Sequence, residues 1–233
     1  MNTIRHAEDR GHVQLGWLDS HHTFSFGHYH DPAQMGFGAL RVINDDIVEP
    51  GKGFGTHGHR NMEILSYVLD GALEHKDSMG SGSVLRHGDV QLMSAGTGVE
   101  HSEFNHSQSE RVHFLQIWIV PKFTGTRPNY QETRHEDADK RGQLRLLASP
   151  DGRDGSLTVG QDVGVYATLL DGDEQVTLPL AEGRQGYVHV ARGAVTVNGQ
   201  ALKAGDGLKV SAESAIALRD GRDAEVLLFD LAA

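Results

Sequence analysis

Residues 53–73 read GFGTHGHRNMEILSYVLDGAL. The run 63–69 is mostly apolar, carries β-branched and aromatic residues, and is too short for an ordinary helix. It stops at Asp70-Gly71, and Ala72-Leu73 leaves on the far side of that turn. This is the signature of a strand, a tight turn and a returning strand. Upstream, His57 and His59 stand two apart, so an extended backbone projects both imidazoles to one face.

The same pattern extends in both directions. GALRVI (38–43) runs into the turn residues Asn-Asp-Asp, and VHFLQIWIV (112–120) ends at Pro121. The second run is apolar on both faces, as expected of a strand covered on both sides. Long helical periodicity is scarce. Short strands with Gly-rich turns imply a sandwich or a barrel. The polar stretch 124–140 reads as a linker or surface crossover. Beyond it lie 143–147, the turn-rich 149–156, and a second set of short strands at 156–159, 165–170, 175–180, 186–191, 194–197, 207–210 and 225–231. The halves echo each other: YVLDGAL (67–73) is followed seventeen residues after its glycine by Gly88-Asp89, and VARGAV (190–195) twelve residues after its glycine by Gly205-Asp206. A duplicated β unit accounts for both.

With 233 residues, the chain is long enough for one large domain or two small ones. Its 21 Lys+Arg against 32 Asp+Glu give a net charge of −11, and no dense basic run is present. That disfavours direct nucleic-acid binding and a polyanionic membrane surface. The absence of cysteine removes disulfides, thiolate metal sites and cysteine nucleophiles. Residues 1–20 show no apolar signal region, and no apolar run nears the ~20 residues of a membrane helix. A soluble, cytoplasmic protein is the expectation.

Fifteen histidines are present, and fourteen lie between His6 and His135. Besides His57 and His59, GDVQLMSAGTGVEHSEFN (88–105) places His101 and Glu103 two apart on one face. Three imidazoles and one carboxylate make a four-donor set for one divalent transition ion, with room for water or substrate. Glu63 is read as a supporting partner or strand-start charge in preference to a ligand. His28 and His30 share the spacing but sit in a polar loop, so they read as surface or pocket rim. His75, His87, His106 and His113 read as surface or satisfied interior residues. Phe37, Phe54, Met93 and Phe104 are near the ligands in sequence, and at least half of them are expected in the core. No nucleophile elbow, P-loop or dinucleotide fingerprint occurs.

HHTFSFGHYHDPAQMGFGALRVINDD (21–46), the 53–71 segment, EHKDSMG (74–80) and MSAGTGVEHSEFN (93–105) resemble the cupin superfamily and, more closely, bacterial pirins of the quercetin 2,3-dioxygenase kind. The likeness is dense over 17–121 and looser after about 140. It implies an all-β protein of two stacked cupin-type β-barrels. Residues 1–135 would form the metal-binding cupin and 136–233 a cupin without metal ligands. By the same likeness His57, His59, His101 and Glu103 hold the metal. The general cupin pattern takes its glutamate near Glu63; pirins take it at Glu103. Seven residues, not the general six, separate Glu63 from Gly71. The implied activity is flavonol ring cleavage with O₂, Glu103 assisting as base. Iron(II) is favoured as the cofactor, ahead of zinc, cobalt, manganese, nickel or copper. Alternatives are a metal-dependent regulatory role with a protein partner, or a cupin reaction on another substrate.

Overall fold

The structure is a computed structural model that describes residues 2–233. Its strands, in chain order, are β1 (Thr3–Arg5), β2 (Gly11–Gln14), β3 (Leu18–His22), β4 (Leu40–Val48), β5 (Gly53–His59), β6 (Glu63–Asp70), β7 (Ala72–Asp77), β8 (Gly82–Arg86), β9 (Asp89–Ser94) and β10 (Val99–Asn105). They continue with β11 (Val112–Ile119), β12 (Asn129–Arg134), β13 (Arg145–Ser149), β14 (Leu157–Thr158), β15 (Val163–Gly172), β16 (Val176–Pro179), β17 (Arg184–Val197), β18 (Gln200–Lys203), β19 (Gly207–Val210) and β20 (Ala215–Ala232). Apart from strands, the described residues hold only three short 3₁₀ turns as regular structure.

The chain divides into two compact units. The first comprises Gly11–Arg134 with Val159–Gln161. It contains a seven-stranded sheet, β12-β9-β6-β11-β4-β3-β2, and a four-stranded sheet, β5-β10-β7-β8. Leu18, Val48, Val68, Leu73, Leu85, Val112 and Phe114 form one buried cluster drawn from both sheets, so the core lies between them. Along β10 the pleat alternates: Val99, His101, Glu103 and Asn105 are buried, whereas Glu100 and Phe104 are exposed. The histidine–glutamate pair therefore points inward.

The second unit comprises residues 2–10, His135–Thr158 and Asp162–Ala233. Its nine-stranded sheet runs β1-β19-β17-β20-β15-β13-β14, with β16 on β20 and β18 on β17. The interior cluster is wholly aliphatic and includes Val188, Val190, Leu208, Val226 and Leu228. The first strand of the chain thus belongs to the sheet of this second unit: Ile4 pairs with Leu208.

The all-β, two-cupin architecture is present, but each sheet is an open hydrogen-bonded path, not a closed ring. In the first unit closure comes from side-chain packing between sheets. Two local expectations are corrected. Residues 129–134 are not linker but strand β12, paired with β9 from Asn129↔Ser94 to Arg134↔Asp89. A polar edge strand is held by backbone bonds, which leave no hydrophobic trace in sequence. The separate strands 186–191 and 194–197 are one strand, β17, whose register on β20 shifts between Val190 and Thr196.

The echo between the halves is realised in turn chemistry. Gly71 and Gly193 both take positive φ, +78° and +67°. An added Cβ would stand 2.4 Å from the Arg111 carbonyl oxygen at the first and 2.2 Å from those of Arg222 and Asp223 at the second. Downstream, the Arg86 N–H donates to Asp89 at 2.8 Å and the Lys203 N–H donates to Asp206 at 2.9 Å. Each Gly-Asp turn is closed by the same bond three residues back. Because backbone, not a flexible side chain, blocks both glycine positions, Gly71→Ala and Gly193→Ala are each expected to cost about 2 kcal/mol or more in urea unfolding. A loss under about 0.5 kcal/mol, the range of ordinary surface changes, would contradict this account.

Candidate metal centre

Strand β10 is the middle of three. On one side it pairs with β5, His101 directly opposite His57 and Val99 opposite His59. On the other it pairs with β7, His101 opposite Asp77 and Glu103 opposite His75. The β5 pairing slips between His101 and Glu103, so that Glu103 faces Phe54. This bulge bends the strand just where its two polar side chains enter the interior.

The imidazoles of His57, His59 and His101 converge, with ligand atoms all within 4.8 Å of one another. Their ring centroids are 4.5–4.8 Å apart. Nε2 of His57 and Nε2 of His101 are separated by 3.1 Å. His57 Nδ1 lies 2.8 Å from the Gly55 carbonyl oxygen. A carbonyl only accepts, so the neutral ring carries its proton on Nδ1 and a lone pair on Nε2, facing His101. Burial, with the neighbouring imidazoles adding to it, drives His101 far below the usual histidine range and His59 down to about 4. Both rings therefore stay neutral, the form that ligates metals.

Glu103 is 2% exposed. Gln116 Nε2 donates to its Oε2 at 2.6 Å, and Ser66 Oγ and Gln91 Nε2 donate to Oε1 at 3.2 and 3.3 Å. Burial nevertheless pushes its carboxyl up to about 7. Glu103 groups with His101 and His75 within the same 4.8 Å limit, not with all three imidazoles of the triad. His101 is the shared member.

Several residues around the site were not assigned to it from sequence, where His75 reads as a surface or satisfied interior residue. His75 is fully buried, with its ring 5.3 Å from His101, its Nε2 3.1 Å from Asp77, and Tyr130 stacked on it at 4.8 Å. The Tyr130 hydroxyl donates to Gln91 at 3.1 Å, and Gln91 donates on to Ser66 at 2.9 Å. A polar chain thus runs from Tyr130 to Glu103. Trp118 meets His59 edge-on at 4.9 Å and Phe26 at 5.2 Å. Trp118 thus stands beside the imidazoles with Phe26 against it, whereas Phe104 is exposed on the outer side of β10. Phe54 and Met93 pack in apolar clusters.

Other candidates fall away. Glu63 is buried, accepts from Ser94 Oγ at 2.7 Å, and joins no donor group. His28 and His30 are exposed. His106 pairs with Glu74 at 3.0 Å and His113 with Asp45 at 2.6 Å. A surface depression of about 390 Å³ touches His59, but Gly58 and Glu100 line it from the outward face, away from the inward-facing His101.

Residues 3–119 match the Pirin family, and 146–231 match the Quercetinase C-terminal cupin domain family. The chain is 50% identical over 228 residues to the quercetin 2,3-dioxygenase of Escherichia coli K12, covering 98% of this chain and 97% of that one. This chain belongs to the pirin family. A pirin-like protein of Caulobacter vibrioides is 41% identical over 95% of the chain and 96% of its own. Among solved structures, bacterial pirin YhhW of E. coli in complex with nickel(II) superposes with a TM-score of 0.95 at 50% identity, covering 100% of this chain and 99% of that one. The fold of this pirin and the histidine cluster inside its first cupin thus come with a metal-binding relative.

A second buried carboxyl, Asp46 of β4, bears on the electrostatics of this interior. It accepts from the Ser20 hydroxyl, and burial, reinforced by the charges of Asp45 and Glu103, raises it from 3.8 to about 7. Between those values the native state keeps a proton that the unfolded chain has released. Stability therefore declines as pH rises through that window, and above about 7 a buried charge opposes folding. In metal-free protein, Asp46→Asn is expected to be more stable than wild type at pH 8, on the order of 2 kcal/mol, with the gap narrowing steadily toward pH 4. Urea midpoints across pH 4–8 measure it; a gap independent of pH would refute the assignment.

Proposed function

We propose that this pirin is a quercetin 2,3-dioxygenase, cleaving the heterocyclic ring of a flavonol with O₂. The observation that carries the reading is the convergence of three imidazoles beside a buried carboxyl, in a chain half identical over its length to the E. coli enzyme of that name. His57, His59, His101 and Glu103 are the proposed ligands in the first cupin, the unit of Gly11–Arg134, and the second is a cupin that holds no ion. The donor set fits a divalent transition ion: ligands about 2.1 Å from one centre stand about 3 Å apart at a right angle, the spacing of the two Nε2 atoms. Glu103, grouped with His101, completes the set while Gln116, Ser66 and Gln91 hold its carboxyl. Three nitrogens and one oxygen suit iron, cobalt, nickel, manganese, copper or zinc; reaction with O₂ favours iron(II). Lack of cysteine fits a reducing, cytoplasmic setting.

A bound ion would supply Lewis acidity toward the substrate's 3-hydroxyl and a centre for O₂ chemistry. The chain's own groups do the rest. Glu103, with a carboxyl poised near neutrality, receives the 3-hydroxyl proton on a carboxylate oxygen. Gln116, Ser66 and Gln91 then hold the carboxyl in place. Trp118 and Phe26 offer aromatic surface next to His59 for a planar substrate. Ring opening consumes one O₂ and yields carbon monoxide and a depside.

Metal-loaded protein should consume O₂ with quercetin. His57→Ala, His101→Ala and Glu103→Ala should each slow it by about 100-fold or more. Gln116→Leu removes the 2.6 Å bond to Glu103 and the carbonyl that accepts from Ser66 Oγ at 2.9 Å, leaving every proposed ligand in place. Its metal affinity should fall about 10- to 100-fold by titration calorimetry, and excess metal should restore turnover. Equal rates in wild type and all three ligand variants would overturn the reading.

A further inference from the structure

The hairpin of β2 and β3, at the end of the seven-stranded sheet, carries a second cluster of metal-ligating side chains, on a different sheet from the imidazoles of the first. His12 of β2 stands directly opposite His21 of β3. Asp19 lies two residues before His21 and so shares its face. Leu18, Ser20 and His22 alternate inward, which leaves Asp19 and His21 on the outer side of the seven-stranded sheet. Nε2 of His12 and Nδ1 of His21 both face Oδ1 of Asp19, at 2.8 and 3.7 Å. The two rings stack at 4.3 Å with 11° between their planes. All three donor atoms fall within 4.8 Å of one another. The next strand adds a carboxylate: Asp45 of β4 is the register partner of His21. One row across three strands therefore reads His12, His21, Asp45, with Asp19 beside it.

We propose that His12, Asp19 and His21 form a second divalent transition-metal site on the outer face of the β2–β3 hairpin. Two nitrogens and one carboxylate oxygen favour zinc, nickel or copper over calcium or magnesium, which prefer all-oxygen shells. The carboxylate already gathers both rings around one oxygen. Replacing the bridging proton by an ion at about 2.1 Å from each donor needs only side-chain rotation. The three side chains are 37–48% exposed, which leaves coordination positions open to water. A cross-strand pair fixed by the ladder is preorganised, because the backbone ordering is complete before the ion arrives. Asp45, opposite His21, is already bonded to His113 and is not counted among the donors.

The test uses Ni²⁺ as probe, with native mass spectrometry and calorimetry on the full chain. Wild type should take up two ions. His57→Ala/His59→Ala/His101→Ala should retain one, and His12→Ala/His21→Ala should also retain one while keeping wild-type quercetin turnover per loaded chain. Asp19→Asn, which keeps both rings, should weaken the hairpin site about tenfold. In the triad variant, paramagnetic broadening of amide signals should centre on residues 12, 19 and 21. If the triad variant misfolds, the loss of one ion from wild type on removing His12 and His21 still decides the matter. A single ion in wild type, or a second ion that survives His12→Ala/His21→Ala, would overturn the proposal. Since turnover is read separately, failure of the dioxygenase reading and failure of this site give different results.

Discussion

The hydrogen-bonded ladder β5-β10-β7 is the constraint on which the rest of the site depends. A strand held on both sides cannot slide by one residue without turning His101 and Glu103 out to solvent and Glu100 and Phe104 into the core. The ladder therefore fixes which face carries the chemistry. It also brings together histidines more than forty positions apart, since His101 and His57 are register partners. The slip in the β5 pairing after His101 gives Glu103 a different neighbour from the one simple alternation would supply.

Within that frame, burial sets the protonation states. The two deeper imidazoles are kept neutral because an imidazolium would be poorly solvated among other rings. The same desolvation lifts Glu103 and Asp46 toward neutrality. Without donors a buried carboxylate would be lifted further still. Gln116, Ser66 and Gln91 oppose this at Glu103, as Ser20 does at Asp46. These amides and hydroxyls belong to β3, β6, β9 and β11 of the seven-stranded sheet, whereas the imidazoles belong to the four-stranded one. The site is a seam between two sheets, each supplying a different kind of group. The outer face of the seven-stranded sheet has another character: there His12, Asp19 and His21 pair at 37–48% exposure.

Much of the architecture was legible because strands announce themselves through short apolar runs and glycine turns. Gly71 and Gly193 marked equivalent turns in the two halves, and Asp89 and Asp206 close equivalent loops. Polar edge strand β12 was not legible, since its stability comes from backbone pairing and not from burial. Nor was the single kinked strand β17, which reads as two because Gly193 interrupts it. Among the site residues, the i, i+2 spacing exposed His57 with His59 and His101 with Glu103. His75 reads as a surface or satisfied interior histidine although His75 and Asp77 share that spacing, since only the pairing of β7 with β10 puts it under His101.

The sequence by itself determined the class of fold, the pairs of donors and the faces they occupy. Those follow from the two-residue repeat of an extended chain and from the residues that permit tight turns, both of which are local. Only the tertiary structure decided which strands are neighbours, where the ladder slips, which amides surround Glu103 and which rings line the site. These depend on contacts between positions distant along the chain, and nothing in a local pattern encodes the partner of a strand.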